Sequence, residues 1–150
     1  MDHKIYIAFD YGLKKTGVAI GQSITKTASP LASLSMDNGE PDWSEVDIIF
    51  EDFKPSCAVF GMPEECINSN KTLIDNIKAF SSGIAQRYGI SITFVNEHLT
   101  SKIAKDQLKE QRQEGILSRK IMKGQVDSMA AAIFLQDWMN QRLNNGLVSS

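Results

Sequence analysis

The chain carries only two cysteines in 150 residues, Cys57 and Cys66. Neither has the short spacing of a zinc site, and both lie in or beside a predicted strand. Reduced thiols in a cytosolic protein are the expectation. No apolar run approaches the length of a membrane span, so no membrane partner is expected. The N-terminus has no signal-peptide pattern, because Asp2, His3 and Lys4 run straight into the first strand. Internal repeats and low-complexity linkers are also lacking. The length suits one domain over residues 1–150, with a tail from about Asn144 expected to fray. A charge excess is missing too: the net charge is −2, which does not mark a nucleic-acid binder.

The distribution of charge says more than its sum. Between Lys102 and Lys123 seven basic residues stand against three acidic ones, so this segment carries +4 and the remainder −6. A solvated helix face accounts for much of such mixed charge. A local patch for phosphates is the sharper reading.

The stretch Ile5 to Gly21, IYIAFDYGLKKTGVAIG, reads as a strand, a tight turn and a second strand. Ile5, Ile7 and Phe9 fall on one face by period two, and Tyr6, Ala8 and Asp10 on the other. Asp10 is the anomaly, a carboxylate ending an apolar strand. A buried charge must be neutralised, paired or bound to metal. Turn capping is the plainer role for a lone Asp-x-Gly. Gly12, Gly17 and Gly21 leave little bulk nearby.

Thr27 to Ser35 reads as a third strand, with Pro30 pointing to an edge. Asn38-Gly39-Glu40-Pro41 is punctuation. Asp42 caps a helix whose stripe is Trp43, Val46, Ile49, Phe50 and Phe53, with Glu45 completing a capping box. Lys54-Pro55 ends it, and Cys57 to Phe60 is a short strand. After a loop over 64–70, a helix over 71–88 presents Leu73, Ile77, Phe80, Ile84 and Tyr88, with Gly89 at its C′ position. Ile90 to Val95 is a fifth strand. A helix over 101–113 and a basic connection over 118–124 lead to a last helix over 125–143. Its predicted packing face is Val126, Met129, Ile133 and Phe134, with Ala130, Ala131 and Ala132 permitting close approach to a sheet. The predicted fold is α/β: a five-stranded mixed sheet, with strands 1–3 an antiparallel meander, strands 4 and 5 parallel, and helices on both sides.

Two more acids could meet Asp10. Glu97 follows the fifth strand, and parallel strands would bring both to the C-terminal sheet edge, where α/β sheets place ligands. Asp127 stands at the start of the last helix. Separately, Glu97 could be a solvated loop acid and Asp127 a helix cap. Jointly, three carboxylates suit Mg²⁺ or Mn²⁺, since such hard cations take oxygen ligands and a few carboxylates suffice. Such a site serves phosphodiester hydrolysis.

The blocks FDYGLKKTGVAIG, TASPL, GMP, NEHLTS and KGQVDSMAAAIFLQ, in this order and spacing, resemble the YqgF/RuvX family. The resemblance covers about Lys4 to Met139. It implies a ribonuclease-H-like fold and a nuclease that matures the 5′ end of pre-16S ribosomal RNA, or resolves Holliday junctions. It places the family's metal-binding, catalytic acids on Asp10, Glu97 and Asp127. Four departures accompany it: Asn96 stands where the family usually has an acid, His98 where it has an arginine, Leu13 where it has a threonine, and Glu64, Glu65 and Asn68 to Asn70 replace its Asn-x-Asp-Gly loop. His98 is a pH-dependent phosphate contact. Lys14, Lys15, Lys102, Arg119, Lys120 and Lys123 are further candidates for nucleic-acid contacts. Expected partners are pre-rRNA or branched DNA, with ribosomal precursor particles in the first case. The chain would act as a monomer or, on a four-way junction, as a symmetric homodimer.

Other classes fit parts of the pattern. Asp10-x-Gly12 followed by Gly17 also resembles the phosphate hairpin of actin-like ATPases, but those close two such domains around a nucleotide. A non-catalytic nucleic-acid-binding module is the third reading, which Asn96 and His98 keep open although the intact acid triad implies catalysis.

Overall fold

The computed structural model describes residues 4–63, 71–96 and 123–149. Among them the strands are β1 (Ile5–Asp10), β2 (Lys15–Gln22), β3 (Thr27–Pro30), β4 (Leu34–Asp37), β5 (Glu40–Pro41), β6 (Cys57–Met62) and β7 (Ser91–Asn96). The helices are α1 (Trp43–Phe53), α2 (Lys71–Tyr88) and α3 (Lys123–Ser149). The sheet runs β5-β4-β2-β1-β6-β7, with β3 beside β2. β1 is antiparallel to β2 and parallel to β6, and β6 is parallel to β7. The mixed α/β sheet predicted from the sequence is therefore present. The loop over 64–70, the helix over 101–113 and most of the connection over 118–124 lie outside the described residues.

The strand count is corrected from five to seven. The predicted third strand is interrupted after Leu31: the Leu31 N–H still donates to the Val18 carbonyl at 2.8 Å, but the Val18 N–H turns to Ser128 rather than returning the bond. The chain leaves β2 over residues 32–33 and rejoins it where Leu34 pairs with Thr16. Asn38 and Gly39 then take φ of 52° and 85°. Two successive positive φ values make the tight reversal of a two-residue hairpin, and Glu40–Pro41 folds back on Met36–Asp37. The punctuation seen in the sequence is thus a hairpin tip.

Alternation along β1 splits the core in two. Ile7 and Phe9 join Val18, Ile20, Ala58 and Phe60 against Val46 and Phe50 of α1 and Ile77, Phe80 and Ile84 of α2. Tyr6 and Ala8 join Ala19 and Val59 against Ala131, Phe134, Leu135 and Met139 of α3. Helices therefore cover both faces. The cap of α1 differs in detail from a capping box: Asp42 Oδ1 accepts from the Ser44 N–H at 3.0 Å and from the Ser44 hydroxyl at 2.6 Å.

α3 departs from expectation in two ways. Its helical backbone runs on to Ser149, past the end at residue 143 expected from the sequence. Its packing stripe is rotated as well. Ser128, Ala131, Ala132, Leu135 and Met139 are buried, whereas Met129 and Ile133 are only half-buried. The reason lies in β2. A Cβ on Gly21 would come within 2.8 Å of Met139 Sδ and 3.0 Å of Leu135 Cδ2. Gly17, Ala19 and Gly21 alternate onto this face, and small residues let the helix approach the strand closely.

Candidate active site

Asp10 ends β1 and pairs in register with Gly17 of β2. It is half-buried, and alternation puts it on the α3 face, after Tyr6 and Ala8. Phe9 is level with Phe60 of β6, and Phe60 with Phe94 of β7. The three parallel strands therefore finish together, and Asp10 stands at their C-terminal edge.

The turn after Asp10 is held by local contacts. The Gly12 N–H donates to Thr16 Oγ1 at 3.3 Å, and the Thr16 hydroxyl is 3.4 Å from the Gly12 carbonyl. A Cβ on Gly12 would collide with the Lys15 carbonyl oxygen. Glycine is needed there because the chain approaches itself. A second brace comes from the β4–β5 tip. The Tyr11 hydroxyl donates to the Gly39 carbonyl at 2.9 Å, and the Gly39 N–H to the Leu13 carbonyl at 3.2 Å. Burial, and then the charge of Glu40, raise the Tyr11 phenol above its ordinary value, so it remains a donor at neutral pH.

α3 is fixed to the same strand by a bond that sequence reasoning missed. The Val18 N–H donates to Ser128 Oγ at 2.9 Å, while the Val18 carbonyl accepts from the Leu31 N–H at 2.8 Å. The interruption between β3 and β4 leaves the Val18 N–H without a strand partner, and the fully buried Ser128 supplies one. Ser128 follows Asp127, and Val18 follows the register partner of Asp10. The turn of α3 that carries Asp127 is thus tied beside the end of β1. Further along, Gln136 spans the β3 edge: its Oε1 accepts from the Ala28 N–H at 2.9 Å, and its Nε2 donates to the Lys26 carbonyl at 2.7 Å. The one sequence signal for Ser128 is a hydroxyl residue opening an alanine-rich packing stripe.

The sequence and the fold both have known relatives. The sequence profile of the RuvX family, described as Holliday junction resolvase, matches residues 4–141. The chain belongs to the RuvX (YqgF) family. Among curated relatives, a Proteus mirabilis protein named "Putative pre-16S rRNA nuclease" is 33% identical over 95% of this chain and 99% of its own length. A Shewanella denitrificans protein of the same name is 33% identical over 91% and 94%. Among solved structures, Thermus thermophilus RuvC in complex with a Holliday junction has a TM-score of 0.58 at 15% identity, covering 95% of this chain and 97% of that one. The yeast mitochondrial Holliday junction resolvase Ydc2 has a TM-score of 0.50 at 11% identity, covering 89% and 77%. These likenesses establish a RuvC-like, ribonuclease-H-like fold, and the family is one of nucleases.

The other expected site residues of this RuvX chain fall as follows. Glu97 comes directly after β7 in sequence, and Glu97, His98, Lys102, Arg119 and Lys120 lie outside the described residues. Lys123 is the first residue of α3. Lys14 is exposed in the turn that follows Asp10, and Lys15 is exposed as the first residue of β2. Among the described residues no three His, Cys, Asp or Glu side chains cluster as a metal site. The donor chemistry still suits a hard cation: Asp10 offers carboxylate oxygens at a half-buried sheet edge. No described helix is long and apolar enough to cross a membrane.

Proposed function

We infer that this RuvX chain is a metal-dependent endonuclease whose site is built on Asp10, Glu97 and Asp127, and that it trims the 5′ end of pre-16S ribosomal RNA. The observation that carries the reading is the Ser128–Val18 hydrogen bond. It ties the turn bearing Asp127 to the strand beside Asp10, in a family of nucleases. Three carboxylates would hold Mg²⁺ or Mn²⁺, which supplies Lewis-acid stabilisation of charge on the phosphodiester. Asp10 would hold the ion from the end of β1, and Asp127 from the helix turn tied through Ser128 to the neighbouring β2. Lys14, Lys15 and Lys123, with Lys102, Arg119, Lys120 and protonated His98, contact backbone phosphates. The chain works in the cytoplasm on ribosomal precursors. A monomer suffices for trimming.

Resolution of Holliday junctions is the second reading, favoured by the description of the matching family. It requires a symmetric dimer to cut paired strands.

One experiment separates the two. Wild type and Asp10→Asn are given Mn²⁺ with a 5′-extended 16S precursor fragment and with a four-way DNA junction. Asp10→Asn is expected to abolish cleavage and to keep or raise thermal stability, because clustered carboxylates repel one another without metal. Cutting of the RNA alone selects trimming, and cutting of the junction alone selects resolution. Equal activity in both proteins would remove Asp10 from the mechanism.

A further inference from the structure

Asp10 and Tyr11 are consecutive, with Cα atoms ~3.8 Å apart, yet they serve opposite faces of the sheet. Tyr11 packs into the core of the α1/α2 face, and beside it lies a cavity of about 220 Å³ between the β4–β5 tip and α2. Tyr11, Trp43 and Phe80 supply its aromatic wall, and Asn38, Glu40 and Asn76 its polar groups.

The wall is built and held. The edge of the Trp43 indole rests on Gly83, where a Cβ would lie 3.5 Å from Cη2. The Arg87 guanidinium stands 5.1 Å from the Trp43 ring centroid, and Phe80 lies 5.9 Å from it, inclined by 45°. Tyr11 is fixed by its bond to Gly39 and tilts 45° against Phe80 at 5.6 Å.

The lining selects by chemistry. Aromatic faces favour a flat aromatic ligand, and two amides offer both donors and acceptors. The Glu40 carboxylate accepts N–H groups and repels phosphate. A nucleobase with an exocyclic amino group meets all of these demands, as carboxylates do with the cytosine amino group in base recognition. Uracil, with a carbonyl at C4 where cytosine has its amino group, meets fewer. The volume is below the ~300–1,000 Å³ of pockets for drug-sized ligands, which suits a single base.

We propose that this cavity receives one unpaired, amino-bearing nucleobase of the bound strand, next to the sheet edge where Asp10 acts. The strand crosses the C-terminal edge with its phosphate on the α3 face and one base turned into the α1/α2 face. The inference rests on the reading that the chain acts on nucleic acid.

The test is binding of short single-stranded RNAs to full-length protein by fluorescence anisotropy. The strands are oligo(C), oligo(U) and an abasic ribose-phosphate strand of equal length. Wild type is expected to bind oligo(C) about 5- to 150-fold tighter than the abasic strand, the range for stacking one base on an aromatic wall, and tighter than oligo(U). Glu40→Ala is expected to erase the preference over oligo(U), and Trp43→Leu most of the preference over the abasic strand. Circular dichroism checks that both variants fold. In a Trp138→Phe background Trp43 is the remaining tryptophan, and oligo(C) should quench it where inorganic phosphate does not. Equal affinity for all three strands, alongside Asp10-dependent cleavage, would overturn the base pocket and leave the nuclease standing. So would a preference that survives both variants. Quenching by free cytidine monophosphate at least as strong as by oligo(C) would overturn the strand-bound role. Failure to bind any strand or to cut either substrate would remove the nucleic-acid reading and the pocket together.

Discussion

The two faces of the sheet hold their helices by different means. Against α1 and α2 the sheet offers large rings: Phe9 stacks on Phe60 at 5.0 Å, and Phe80 meets both edge-on at 5.4 and 5.7 Å. Against α3 it offers Ala19 and Gly21, with hydrogen bonds from strand N–H groups to the Ser128 and Gln136 side-chain oxygens. Bulk supplies stability but tolerates repacking. A hydrogen bond to one backbone N–H fixes a helix in one register. Asp10 lies on the second face, where position is set most narrowly.

The comparison is sharpened most by removing bulk from the first face. Phe60 is fully buried, so Phe60→Ala is expected to cost ~3–5 kcal/mol of folding stability. Denaturant unfolding measures it. Cleavage by the fraction still folded should be nearly unchanged. A loss below about 1 kcal/mol would show that the aromatic cluster closes over the gap.

Ser128→Ala tests the other face and should reverse the pattern. It removes the side-chain partner of the buried Val18 N–H, at a cost of ~1–3 kcal/mol. The larger consequence should be in rate. A displacement of about 1 Å in a catalytic group can cost ~10²-fold, so cleavage should fall by that order while the protein stays folded. A stability loss with unchanged kcat would mean that the bond serves folding alone.

The sequence carried the first face more plainly than the second. Period two in Ile5 to Asp10 divides the residues as the structure does, and the stripes of α1 and α2 include Val46, Phe50, Ile77, Phe80 and Ile84, all buried. Gly89 takes the φ of 65° expected just past a helix. These features are local, since each follows from neighbours within a few turns. The misses are non-local. The rotated stripe of α3 depends on Gly21, more than a hundred residues away. The break between β3 and β4 depends on where Leu34 finds β2 again. Ser128 reads as an ordinary helix residue until a strand N–H lacking a ladder partner lies beneath it. Asp10 stands out in the sequence because a carboxylate ending an apolar strand conflicts with its own surroundings, and the structure leaves it half-buried at the end of β1.

The smallest effect expected is at the rim of the aromatic face. Arg87 grips Asp47 with two hydrogen bonds of 2.8 and 2.9 Å, and the Tyr88 hydroxyl adds a third at 2.6 Å. The Arg87 bonds, and then that of Tyr88, pull the Asp47 carboxyl down to about 2 from 3.8. A depressed carboxylate stabilises the fold above its unfolded value. That contribution is lost as pH falls from about 3.8 towards 2. Both partners are substantially exposed, at 44% and 39%, so the effect is modest and weakens with salt. Asp47→Asn should therefore melt slightly below wild type at about pH 5, with the gap closing as pH approaches about 2. Thermal melts across that range in low salt measure it. A gap that persists unchanged at the acid end would assign the difference to lost packing between α1 and α2 rather than to charge. The second face should show no matching pH dependence at Ser128 and Gln136, whose neutral groups hold α3 without titrating.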